Sequence, residues 1–148
     1  MNITIEKFNY PHSVIKEYDH WVVMLRPKQV TIGSCVIAAK CPDDVISFGD
    51  LAPAVGAELM TVMHDFEFAM KRVFAPVIPV KFNYIALMLV DPNPHFHAFP
   101  RFDQSVVHEN TTYLDDAFPK MLNLSSTFDL GLESYAALRD RIRYLWEG

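Results

Sequence analysis

Residues 91–102 read DPNPHFHAFPRF and place two histidines one residue apart in an apolar run that closes on Pro-Arg. Side chains alternate across a strand, so Asn93, His95, His97 and Phe99 share one face while Pro94, Phe96, Ala98 and Pro100 take the other. Phe96 and Ala98 are expected to pack inward. That burial sets the register, because a one-residue slip would drive both histidines into the core. Two imidazoles held on one face can converge on one small ligand, and a group that titrates near neutrality can serve as nucleophile, base or acid without an extreme shift. Two other readings of the spacing stay open. His-x-His in a strand can be merely structural or exposed, and imidazoles at i and i+2 can hold zinc together. The nearby third ligands for zinc, Asp91, Asp103, His108 and Glu109, show no recognised ligand spacing.

Just upstream, KFNYIALMLV at residues 81–90 is too continuous in hydrophobes for a half-exposed strand, which predicts a central strand beneath a helix. That helix is predicted over residues 53–74, where Val55, Leu59, Met63, Phe66, Met70 and Val73 recur at spacings of three and four. Pro53 suits its first turn. Pro76 and Pro79 end it. Further upstream, HWVVMLRP and GSCVIAAK are β-rich runs and predict neighbouring antiparallel strands. Downstream, Tyr135, Leu138, Ile142 and Leu145 mark a second amphipathic helix over about residues 132–146. Strands with one long helix between them and another at the end predict an antiparallel α+β domain.

The chain has 148 residues, 51% of them hydrophobic and 21% charged, which predicts one domain over residues 1–148. A formal charge of −5 offers no basic field for a nucleic-acid backbone. The apolar runs are short, and MNITIEKFNY has neither a basic nor an apolar leader region, so the expectation is a cytoplasmic protein with no membrane partner. Cys35 and Cys41, six apart with no further cysteines, fit neither a disulfide framework nor a cysteine zinc site and are expected as reduced thiols.

The segment FNYIALMLVDPNPHFHAFPRF resembles the core of the histidine-triad (HIT) proteins, whose signature is His-φ-His-φ-His-φ-φ with φ apolar, often followed by Pro-Arg. Registered on Pro100-Arg101, the three signature positions fall at Asn93, His95 and His97, so the first histidine is replaced by asparagine. HWVVMLRPKQVTIGSCVI, then FGDL before the long helix, then the strand holding Asn83 follow the family's order, and the resemblance covers roughly residues 18–103. It is closest to the bacterial branch described as diadenosine-tetraphosphate-hydrolase-like. The stretch after about Asp103 carries no family motif.

The resemblance implies a HIT-like α+β fold: an antiparallel sheet of about five strands, one long central helix and a C-terminal helix. It also implies a nucleotide hydrolase or nucleotidyl transferase acting on the α-phosphate of a dinucleoside polyphosphate or nucleotidyl conjugate. His95 would be the nucleophile, forming a nucleotidyl-histidine that water cleaves. His97 would hydrogen-bond the phosphate or leaving group and help move its proton, and Asn93 would orient His95 through its backbone carbonyl. Arg26 stands where relatives often place an asparagine that meets the ligand, and could offer a guanidinium to phosphate. Gln29, Asn83 and Arg101 are candidate substrate contacts, or ordinary turn, strand-edge and surface residues. No cofactor is required for the covalent step, although a divalent cation such as Mg2+ can escort a polyphosphate. Relatives usually pair as homodimers through the long helix and neighbouring strands. Two departures stand out: Gly33-Ser34 replaces Gly-His, and VDPNP replaces the Gly-Gln-[Ser/Thr]-Val loop that supplies phosphate donors. Asn93 together with the missing loop keeps a noncatalytic nucleotide-binding module as the alternative.

Overall fold

The computed structural model describes residues 1–146. Five antiparallel strands form the main sheet: β1 (Val14–Glu17), β2 (Trp21–Leu25), β3 (Cys35–Ala39), β4 (Lys81–Ile85) and β5 (His95–Arg101), in the order β1-β2-β3-β5-β4. The pairing of β2 with β3, Trp21 opposite Ala39 through Leu25 opposite Cys35, is the antiparallel neighbour relation that the two β-rich runs predict.

Every residue of β2 and β3 is buried, because both faces of the sheet are covered. On one face Trp21, Val23, Leu25, Cys35, Ile37, Ala39 and Ala98 pack with two helices, α1 (Pro53–Val73) and α2 (Leu132–Trp146). Val62, Phe66, Ala69, Met70 and Val73 are the buried stripe of α1, and Leu138, Ile142 and Trp146 that of α2. Both helices are those the apolar spacing predicts, and Phe96 and Ala98 do face inward among them.

The other face is closed by a feature the sequence reading leaves out. Residues 3–7 form a one-turn helix, αN (Ile3–Lys7), capped by Asn2, whose Oδ1 accepts from the amide of Ile5 at 3.0 Å. The Asn2 amide donates to the carbonyls of Ala39 at 2.9 Å and Cys41 at 3.0 Å, which pins αN across the end of β3. Ile5 then packs on Val22, Met24, Val36 and Ala38, with Phe8, Tyr10 and Val14 around them.

One prediction needs correction. The run 81–90 is not a central strand: β4 is the sheet's edge, stops at Ile85, and leaves Leu87, Leu89 and Val90 59%, 86% and 81% exposed. Met88 takes a left-handed φ of 55°, which breaks the pleat. An apolar run signals burial only if something covers it. In this chain the strands covered on both faces are β2 and β3.

Beyond β5 a small hairpin, β6 (Val106–His108) and β7 (Thr111–Tyr113), leads to a coil running toward α2. The coil returns to the loop after β2, where Gln29 and Phe128 exchange backbone hydrogen bonds at 3.0 and 2.9 Å. No described helix is long and apolar enough to cross a membrane.

Candidate active site

Strand β5 lies between β3 and β4, with His95 opposite Ala38 and His97 opposite Val36, so both imidazoles project from the face that αN covers. Their ring centroids are 5.0 Å apart and nearly perpendicular, at 83°. The ring of Phe8 stands against both, 6.0 Å from His95 and 5.8 Å from His97. His95 is 2% exposed and His97 is half-buried.

The second ring nitrogen of each histidine has a partner that assigns its tautomer. Nδ1 of His95 lies 2.7 Å from the carbonyl oxygen of Asn93. A carbonyl only accepts, so Nδ1 carries the proton and the neutral ring presents a lone pair at Nε2. Nδ1 of His97 lies 3.2 Å from Nη1 of Arg26. A guanidinium only donates, so this Nδ1 accepts and the proton of His97 sits on Nε2. Burial, the Arg26 charge and the neighbouring His95 push His97 down to about 4, against a smaller upward pull from Asp91. His97 is therefore neutral at pH 7.

Asn93 is fully buried, and its side chain works as a staple. Oδ1 accepts from the hydroxyl of Thr4 at 2.9 Å and its amide at 3.3 Å, while Nδ2 donates to the carbonyls of Asp43 at 3.1 Å and Val45 at 2.9 Å. The backbone amide of Asn93 donates back to the Thr4 hydroxyl at 3.1 Å. All of this holds one carbonyl still beneath His95.

Arg26 follows β2 and reaches the pair directly. Its Nε donates to the carbonyl of Lys28 at 3.0 Å, and its guanidinium stands 5.8 Å from the Phe99 ring centroid. Among the described residues no carboxylate forms an ion pair with it.

The structure does not bring the other three candidates to the histidines. Gln29 is fully buried and organises the 26–34 loop: Oε1 accepts from the amides of Gly33 at 2.8 Å and Ser34 at 3.1 Å, and Nε2 donates to the carbonyls of Arg26 at 2.7 Å and Ser34 at 3.0 Å. Gly33 serves that loop with a φ of 92°, and a Cβ there would stand 3.1 Å from Phe74 and 3.2 Å from Pro100. Arg101 is 3% exposed; Nε donates to Asp115 Oδ2 at 2.7 Å, Nη2 to Asp115 Oδ1 at 3.2 Å and to the carbonyl of Lys120 at 2.8 Å. Its Nη1 donates to Oδ1 of Asn83 at 2.8 Å. The polar atoms of Gln29 and Arg101 are thus committed to tying the loop after β2 and the 115–120 segment to the sheet, and the side-chain oxygen of Asn83 serves the same clamp. Each sits near the site in sequence pattern but faces a structural partner.

Sequence reasoning misses Thr4, Phe8 and Lys7, whose Nζ pairs with Asp91 at 2.8 Å. A five-residue helix is too short to show periodicity, and the only local signal is an asparagine in capping position at residue 2. For the zinc reading, no group of three His, Cys, Asp or Glu side chains among the described residues stands where it could hold a metal ion.

No family model matches the chain, and no curated protein matches it in sequence. Solved structures do match. A histidine triad protein from Marinobacter aquaeolei VT8 superposes with a TM-score of 0.73 at 16% identity, over 96% of this chain and 93% of its own. A histidine triad protein from Sinorhizobium meliloti 1021 gives 0.70 at 15% identity, over 93% and 91%. A hypothetical histidine triad nucleotide-binding protein from Sulfolobus tokodaii strain 7 gives 0.68 at 15% identity, over 97% and 89%. In its five-stranded antiparallel sheet and the helices packed on it, this chain has the α+β fold of the histidine-triad proteins.

Proposed function

We propose that this chain is a histidine-triad family enzyme, a nucleotide hydrolase or nucleotidyl transferase that attacks the α-phosphate of a dinucleoside polyphosphate or nucleotidyl conjugate through His95. The observation that carries this is the 2.7 Å bond from His95 Nδ1 to the Asn93 carbonyl, which turns the lone pair of Nε2 toward the ligand face. It explains how chemistry survives loss of the first histidine. The orienting group is a backbone carbonyl, which asparagine keeps, and the Asn93 side chain holds that carbonyl in place.

In this reading Nε2 of His95 displaces the leaving group from phosphorus, giving a nucleotidyl-imidazolium whose Nδ1–H leans on the Asn93 carbonyl. Nε2–H of His97 donates to a phosphoryl oxygen, and water then releases the nucleotide. His95 is 2% exposed, and the ring of Phe8 stands 6.0 Å from its own, on the side from which both histidines are lined. A divalent cation such as Mg2+ would act only by neutralising a polyphosphate, and the working location would be the cytoplasm.

The test is intact-protein mass spectrometry after brief incubation with diadenosine tetraphosphate and with an adenylyl conjugate. An acid-labile adduct of one nucleotidyl group on the wild-type chain is the expected result. Nucleotide binding by calorimetry with no adduct and no product would replace the enzyme by a binding module.

We also propose a homodimer. Met60 and Phe68 on α1, and Leu87, Leu89 and Val90 beyond the edge strand, are large apolar side chains left exposed beside an unpaired sheet edge. Light scattering at micromolar concentration should report about twice the 17.0 kDa chain mass; a monomer would refute it.

A further inference from the structure

The two histidines differ in what holds their second nitrogen, and that difference bears on the leaving group. Nδ1 of His95 gives its proton to a carbonyl, whereas Nδ1 of His97 receives one from Arg26. A guanidinium does not surrender its proton near neutrality, so while this bond stands Nδ1 of His97 has no room for another. Arg26 is itself held in place, through Lys28 on one side and the face of Phe99 on another. Resting on the function proposed above, we infer that Arg26 is a positioning residue that keeps His97 a neutral hydrogen-bond donor, so that the site expels leaving groups that depart as stable anions, the phosphates of P–O–P anhydrides, rather than amines.

The groups facing His97 agree with this. Arg26 comes from the end of β2, His95 and Phe99 from β5, Phe8 from the segment after αN, and Asp91, ion-paired to Lys7, from the turn before β5. Burial, then the Arg26 cation and the neighbouring imidazole, outweigh the smaller upward pull of Asp91 and push His97 down to about 4. Its ring then holds one proton, on Nε2, and donating that proton outright would leave an imidazolate.

The step balances without such a transfer. The lone pair of His95 Nε2 forms the N–P bond, the P–O bond to the leaving phosphate breaks, and the electron pair stays on that oxygen. A phosphate group, with its second ionisation at about 6, departs as an anion. Nε2–H of His97 donates a hydrogen bond to the phosphoryl oxygen and keeps its proton. Water next attacks phosphorus, the N–P electron pair returns to Nε2, and the proton lost by the water passes to solvent. An amine leaving group has no such route, because nitrogen must gain a proton before the P–N bond breaks, and His97 has none to lend.

Two measurements test this. The first needs no variant: single-turnover adduct formation on the wild-type chain, followed by mass spectrometry, with diadenosine tetraphosphate and with the adenosine 5′-phosphoramidate of a primary amine. The anhydride should react at least about a hundredfold faster, the smallest usual worth of a general acid. The second is an NMR titration of the His97 ring nitrogens in wild type, Arg26→Met and Arg26→Lys. The ring should titrate near 4 in wild type, move toward the ordinary 6.5 in Arg26→Met, and stay low where lysine retains the charge. The rate gap between anhydride and amide should narrow at least about tenfold in Arg26→Met as the pH is lowered into the range where its His97 is seen to titrate and can carry a second proton, burial still holding that range below the ordinary one. Adduct formation at equal rates from both substrates would overturn this inference and leave covalent catalysis standing, as would wild-type His97 titrating near 6.5. Failure of every substrate to form an adduct would overturn both.

Discussion

His95→Ala is expected to lower nucleotidyl transfer by at least about 10³-fold, with loss of the protein–nucleotide adduct, because it removes the nucleophile through which the reaction passes. His97→Ala should cost less, about a hundredfold, the worth of one donor aimed at developing charge. The difference follows from the tautomers: only His95 presents a nitrogen lone pair, and only His97 presents an N–H. Rate constants from quenched single turnovers, with thermal unfolding to show that the variants fold, check the pair of values. Equal losses would mean that the two rings act as one unit. His95→Ala turning over at the wild-type rate would remove the covalent mechanism.

Arg101→Met should destabilise the fold by about 3–5 kcal/mol, the usual cost of stranding one member of a buried ion pair. Arg101 and Asp115 have side chains 4% and 2% exposed, and the guanidinium contacts both carboxylate oxygens. Without the guanidinium, Asp115 keeps one neutral donor, the amide of Phe102 at 3.1 Å, and the carbonyl of Lys120 loses its donor. The 115–120 segment would then be released from β5. Urea unfolding measures the loss. The double variant Arg101→Met with Asp115→Leu should recover most of it, because replacing both partners by apolar groups removes the uncompensated charge. A single-variant loss under about 1 kcal/mol would contradict a buried clamp.

These two arginines show where the sequence stops being informative. Arg26 and Arg101 both follow strand patterns and both resemble phosphate ligands. The chain folds so that one has no carboxylate partner among the described residues and touches His97, while the other is surrounded by Asp115, Asn83 and a carbonyl. Nothing local distinguishes them, because the partners of Arg101 lie 14 to 19 residues away on one side and 18 on the other. Gln29 has the same history. Its four hydrogen bonds close a loop whose shape depends on Gly33 and Ser34, so the sequence leaves it open between ligand contact and turn residue until the loop is seen.

The run 81–90 and the strands β2 and β3 make the same point about burial. All are apolar, but whether such a segment becomes a doubly covered strand or an exposed edge is set by what packs on it, and the covering pieces are αN and the pair α1 and α2. What residue order alone determined was periodicity: two amphipathic helices, an antiparallel α+β domain, and two histidines on one face of a strand anchored by Phe96 and Ala98. These depend on spacings of two or of three to four, which the chain carries locally. Only tertiary structure decided which carbonyl and which cation meet the two rings. Tautomer, protonation and donor direction are properties of contacts between segments far apart in sequence, Arg26 with His97 across 71 residues and Thr4 with Asn93 across 89. No local pattern encodes those contacts.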